Sequence, residues 1–134
     1  MAQETEFIQY EQALELKKLG FNEPCFFAFD NCSTPMRCID LRTSEQRFNG
    51  VNYNNSTYTS QPTYSQAFRW FRDNKLCDGS ISRYGASNGG YSYRWDIIHE
   101  YGVYEERHFK KGYKTYEEAE IACLKQLIEI VKNK

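Results

Sequence analysis

Within Arg107-His108-Phe109-Lys110-Lys111-Gly112-Tyr113-Lys114, four fixed cations are interleaved with two aromatic rings and an imidazole. Residues of these types suit an anion, because the cations neutralise phosphate or carboxylate charge and the rings offer a stacking surface. The segment runs into a helix start, where backbone N–H groups favour negative charge. Arg69 and Arg72, with Lys75, could extend the patch from a second helix, although Asp73 and Asp78 dilute it. The plain alternative is a solvated strand edge whose lysines discourage pairing with another sheet.

Other chemistry-bearing residues are sparser. The two histidines, His99 and His108, flank Gly102 and could approach each other across a hairpin, with Glu100, Glu105 and Glu106 nearby for acid–base work. A strand-end histidine bonded to a neighbour is the simpler reading. Cys25, Cys32, Cys38, Cys77 and Cys123 form an odd set, and the first three are separated by six and then five intervening residues, unlike the close pairs of zinc sites. Reduced thiols are expected, with neither metal nor cofactor. Gly85 to Gly90 lacks the Lys-Ser/Thr ending of a phosphate-binding loop and reads as a turn. No nucleophile-elbow, zinc-protease, calcium-loop or kinase motif is present, so the expectation is a protein without enzymatic activity.

At 134 residues the chain fits one domain, 1–134, large enough to bury a core without disulfide or metal support. Eleven Tyr, nine Phe and two Trp imply a core built largely of rings and favour sheet. The net charge of −1 lacks the basic excess of a general nucleic-acid binder, which leaves only a local patch for that role. The acidic start, Met1 to Glu6, has no charged n-region or apolar h-region behind it, and no apolar run reaches the ~20 residues of a membrane span. A cytoplasmic protein without a membrane partner is expected, in which the sequons at Asn31, Asn54 and Asn55 carry little meaning.

The elements that must position these residues can be read from pattern. Tyr10, Ala13, Leu16 and Leu19 recur every third position in a helix from about Thr5 to Leu19, ended by Gly20 with Phe21 folding back. Cys25–Phe29 is a buried strand whose return partner is Arg37–Leu41. Residues 43–62 form a long polar loop, in which a short strand near Val51-Asn52-Tyr53 could intervene. Two boxes, Thr63-Tyr64-Ser65-Gln66-Ala67 and Thr115-Tyr116-Glu117-Glu118-Ala119, mark helix starts in which Thr caps an N–H and Gln or Glu reaches back. Ala67, Phe71, Ala119 and Cys123 then point inward. Between these helices lie a possible strand at Ile81, a clear strand carrying Tyr91, Tyr93, Trp95, Ile97, His99 and Tyr101 on one face, and a return strand over Val103–Phe109 before a turn at Lys111-Gly112. The ring face could stack bases, but it is better read as core, with Ser92, Arg94, Asp96 and Glu100 facing water. The expected class is α+β: an antiparallel sheet with about three helices on one face, in the order α-β-β-α-β-β-β-α.

Ala13–Cys25, Pro62–Arg72 and Tyr116–Glu120 with its Leu/Ile-rich tail resemble a group of small uncharacterised proteins of Bacteroides-type bacteria and their phages and prophages. The three blocks cover about a third of the chain. The resemblance implies an accessory protein of that setting and assigns no site residue.

The function expected from these observations is a small binding module for a protein or small-molecule ligand, recognised through 43–62 and the sheet edge. The alternative is a nucleic-acid or nucleotide binder using Arg107, His108, Lys110, Lys111, Tyr113 and Lys114, with Arg69 and Arg72. The sequence does not specify an oligomeric state.

Overall fold

The helix signals in the sequence translate into hydrogen bonds. Thr115 is extended (φ −124°, ψ 157°), and its Oγ1 accepts from the Glu118 N–H at 3.1 Å. Glu118 Oε2 in turn accepts from the Lys114 N–H at 3.2 Å, one residue earlier than a standard box requires. At the other signal, Gly20 takes φ 99°; its N–H donates to the Lys17 carbonyl at 3.1 Å and the Phe21 N–H to that of Leu16 at 3.0 Å. These are the paired bonds of a Schellman ending, with Leu16 and Phe21 both buried.

The computed structural model describes residues 6–30, 38–39, 52, 54, 58–84, 90–98 and 104–133; the side chains of 38, 39, 84, 98 and 104–107 lie outside this description. The fold is α+β, with three helices and two antiparallel sheets among the described residues. The elements are α1 (Tyr10–Lys18), β1 (Phe27–Asp30), β2 (Cys38–Ile39), β3 (Tyr58–Gln61), α2 (Tyr64–Lys75), β4 (Cys77–Tyr84), β5 (Gly90–Ile98), β6 (Tyr104–Tyr113) and α3 (Tyr116–Lys132). The order follows the expected one with a strand added before α2. The chain divides into two compact units, Met1–Thr63 and Tyr64–Lys134.

In the first unit β1 is central, pairing with β2 (Ala28 with Ile39, Phe29 with Cys38) and with β3 (Phe27 with Gln61 through Asp30 with Tyr58). The hairpin partner of β1 is therefore as the sequence indicates, whereas β3 falls inside the expected 43–62 loop. Thr59, Ser60 and Gln61 are buried although polar, so a pattern that looks for apolar alternation passes over them. The proposed strand at Val51–Tyr53 lies outside the described residues, apart from Asn52. The first helix begins later than periodicity predicts, because Phe7 bridges to Thr63 and the Ile8 N–H donates to the Pro62 carbonyl at 3.1 Å. Backbone pairing with a distant segment holds 7–8 extended, and α1 starts after an extended Gln9.

In the second unit the strand order is β4-β5-β6. Gly79 of β4 shows which face the helices cover: a Cβ placed there would lie 2.9 Å from Cys123 Sγ, 3.0 Å from Leu127 Cδ1 and 3.5 Å from Phe68. Gly79 pairs with Trp95, Ile81 with Tyr93 and Arg83 with Tyr91, so the ring face of β5 turns towards the helices as core. Ala67, Phe71, Ala119 and Cys123 are all fully buried there. α3 packs on β4 and β5 and only grazes β6, while α2 packs on β4 and α3. β6 runs through the expected turn at Lys111-Gly112; Gly112, at φ 103°, is absorbed as an extra residue between the Tyr91–Tyr113 and Ser92–Lys111 pairs.

Candidate functional site

β6 is an edge strand, paired on one side with β5 and with no strand on its other side among the described residues. Its residues alternate between the two faces of the sheet. On the helix face, His108 stands opposite Trp95, Lys110 opposite Tyr93 and Tyr113 opposite Tyr91; on the other face, Phe109 stands opposite Arg94 and Lys111 opposite Ser92. Because α3 barely reaches this strand, His108 and Lys110 are exposed on the helix face, and Phe109 and Lys111 are exposed on the other.

The residues expected to bind therefore separate into groups. His108, Lys110, Lys111 and the exposed Lys114 do gather along one edge. Tyr113 is half-buried, with its ring centroid 5.6 Å from Tyr93, and belongs to the core margin. Arg107 takes its register position opposite Asp96; its side chain lies outside the described residues. Arg69 and Arg72 are exposed on α2, which packs against β4 at the opposite edge of the sheet, so the structure does not bring them into the β6 cluster. Arg72 Nε instead lies 3.6 Å from Asp73 Oδ1. The helix start beyond the segment is already supplied with an acid by Glu118, which replaces the expected welcome for an external anion.

Two rings frame the strand. The His108 imidazole stacks on Trp95 at 4.8 Å between centroids and 14° between planes. Phe109, on the other face, is 62% exposed, the most of any large apolar side chain described. Sequence reasoning put the exposed ring surface, if any, on the Tyr91–Tyr93–Trp95 face. The structure moves it to the reverse side, where the available signal was Phe109 alternating with Lys111.

That reverse side also corrects the expectation of a wholly solvated polar face. Asp96 is fully buried and Ser92 nearly so, and Arg94 Nε lies 3.3 Å from Asp96 Oδ2. The contact is an ion pair without hydrogen-bond geometry, and the Arg94 side chain, one-third exposed, shares its face with Phe109 across the strand.

Titrating groups elsewhere in the unit are arranged for burial rather than reactivity. Burial pushes the Cys123 thiol up to about 12, with Asp78 and Glu120 adding to the effect against a lowering backbone hydrogen bond from Ser80. A thiol held protonated in this way is a poor nucleophile. Glu120 sits in the buried stripe of α3, and burial followed by the charge of Glu117 raises it to about 7. Tyr64 is raised to about 12, first by burial and then by Glu120. Among the described residues no group of three or more His, Cys, Asp and Glu is placed to hold a metal ion, and no helix is long and apolar enough to cross a membrane. Cys25, Cys77 and Cys123 are buried and form no disulfide. His99, Tyr101, Cys32 and 85–89 lie outside the described residues, as does most of 43–57. Asn54, from that segment, ties two backbones together: its Nδ2 donates to the Phe21 carbonyl at 2.7 Å and its Oδ1 accepts from the Ser60 N–H at 2.8 Å.

Compared with protein-family models, curated proteins and solved structures, the chain matches none.

Proposed function

We propose that this protein is a non-enzymatic binding module that engages an anionic ligand along β6. The single observation that carries the reading is that β6 is exposed on both faces, with His108 and Lys110 open where the helix layer stops short and Phe109 and Lys111 open on the reverse side. Lysines alone would serve to guard an edge against other sheets. A large ring exposed among them adds apolar surface to that edge, which argues for a contact rather than a guard. The protonated, buried state of Cys123 supports a binding role over nucleophilic chemistry. A cytoplasmic setting suits the buried thiols, which need no oxidising compartment. We also infer an accessory role in a Bacteroides-type bacterium or its phage, which the three sequence blocks alone support.

The test is binding to anionic probes at low salt, using single-stranded DNA, single-stranded RNA and a poly-glutamate peptide. At least one should bind, and a Lys110→Glu/Lys111→Glu variant that remains folded should lose it. Absence of binding to every probe would overturn the reading.

A further inference from the structure

We propose that the sheet face turned away from the helices binds single-stranded nucleic acid, with Phe109 as the ring on which a base stacks, an inference that rests on reading β6 as an anion-binding edge. Phe109 stands in register with Arg94 on β5, and Lys111, two residues along, shares its face opposite Ser92. Directly opposed and next-but-one side chains on a sheet face are close enough to act on one ligand group. The exposed phenyl is thus bordered across the strand by a guanidinium and along the strand by an ammonium. Ser80 and Ser82 lie on the same face and offer hydroxyls rather than bulk, while the Ser92 hydroxyl is buried and donates to the Ser82 carbonyl.

A nucleotide matches this arrangement group by group. Its base covers the phenyl and its phosphate meets Arg94 and Lys111, the arginine standing in register with the ring with its Nε 3.3 Å from Asp96 Oδ2. An acidic peptide would satisfy the cations without covering the ring. A duplex keeps its bases stacked inside, so the ring favours an unpaired strand. From His108 to Tyr113 the edge runs roughly 17 Å at the usual strand rise, longer than one nucleotide, and the exposed Lys114 beyond it extends the positive charge towards a further phosphate.

The experiment is fluorescence anisotropy at low salt with labelled oligothymidylate and oligouridylate, the poly-glutamate peptide as comparator, and circular dichroism to establish folding. Variants are Phe109→Ala, Phe109→Trp and Lys111→Ala, all at exposed positions where substitution costs little stability. The expected result is salt-sensitive binding of the oligonucleotides, weakened about tenfold or more in Phe109→Ala and restored in Phe109→Trp. Lys111→Ala should make the logarithmic salt slope shallower by about 0.7. Oligonucleotide binding that is indifferent to Phe109→Ala would overturn the stacking site while leaving the anion-binding edge intact. Binding of poly-glutamate without binding of either oligonucleotide would also overturn the inference and retain the broader reading. Failure of all three probes would overturn both.

Discussion

Both units bury apolar side chains, but the two sheets differ in how much polar bonding joins them to their surroundings. In the first unit, strands of two to four residues are tied by side chains to backbones: Gln61 Nε2 donates to the Ile8 carbonyl at 2.9 Å, Lys17 Nζ to that of Tyr58 at 3.0 Å, and Asn54 bridges Phe21 and Ser60. In the second, strands of eight to ten residues carry a helix layer whose Ala119, Cys123, Leu124, Leu127 and Ile128 are buried. Directional bonds hold a register without requiring much apolar area; packed side chains stabilise more, but tolerate no change of volume. The difference teaches that polarity along a strand is not evidence against its burial. It also bears on the exposed surface, since a helix layer that only grazes β6 leaves His108 and Lys110 open on the helix face.

The largest effect that could break this contrast is in the second unit. Leu127→Ala removes a fully buried side chain beneath α3 and should cost about 2–5 kcal/mol, measured by urea unfolding. Gly79→Ala comes next, because Cys123 Sγ and Leu127 Cδ1 would both have to yield to the new methyl; a loss of about 1–3 kcal/mol is expected. A neutral Gly79→Ala would show the helix layer to be looser than its contacts imply.

The first unit supplies the counterpart. Asn54→Ala leaves the Phe21 carbonyl and the Ser60 N–H without that bridge and should cost about 1–2 kcal/mol. Asn54→Asp sharpens the comparison, since it keeps the acceptor for Ser60 but deprives Phe21 of its donor. Its loss should fall between wild type and Asn54→Ala if both bonds contribute.

Glu120 adds a pH dependence to the second unit. Its pKa is raised in the folded state from 4.5 to about 7, so the folded protein holds this proton more tightly than the unfolded chain. The associated stability is fully present below about pH 4.5 and is lost as pH rises through about 7, a fall on the order of 1–2 kcal/mol once the roughly 3 kcal/mol implied by the shift is discounted for solvent screening. Glu120→Gln should flatten that slope in thermal melts across the same range. An unchanged slope would assign it to other groups.

The smallest effect concerns how the helices end. α1 closes on Gly20 at φ 99°, whereas α2 closes on Leu76 at φ 56°, a left-handed conformation that a side chain resists. Leu76 is 38% exposed, so Leu76→Gly gives up a partly covered side chain against relief of the left-handed strain, and the net gain should be well under about 1 kcal/mol. A loss instead would mean that the Leu76 side chain contributes more than its exposure suggests.

What the sequence reveals follows the same division. The starts of α2 and α3 and the end of α1 were legible because caps are local chemistry: Thr115 Oγ1 caps the Glu118 N–H, and Gly20 with Phe21 form the closing bonds their types and spacing imply. The inward faces of α2 and α3 followed from those starts. β3 was hidden because Tyr-Thr-Ser-Gln becomes buried only through partners far along the chain, and the extended 7–8 segment was hidden because Thr63 and Pro62 hold it from a distance. At the candidate site the basic segment was visible as composition. Its exposure was not, since that depends on where α3 stops. Asp96 was misplaced for a related reason: alternation assigns a residue to a face but does not say whether that face is open at that point.

The stack of His108 on Trp95 has a spectroscopic consequence. The chain holds two tryptophans, and Trp70 sits on α2 with Lys75 Nζ 5.4 Å from its ring centroid, away from the β6 edge. A Trp70→Phe variant would leave one indole, lying face to face with an imidazole on the exposed strand. Its emission would report events along β6 without any attached dye.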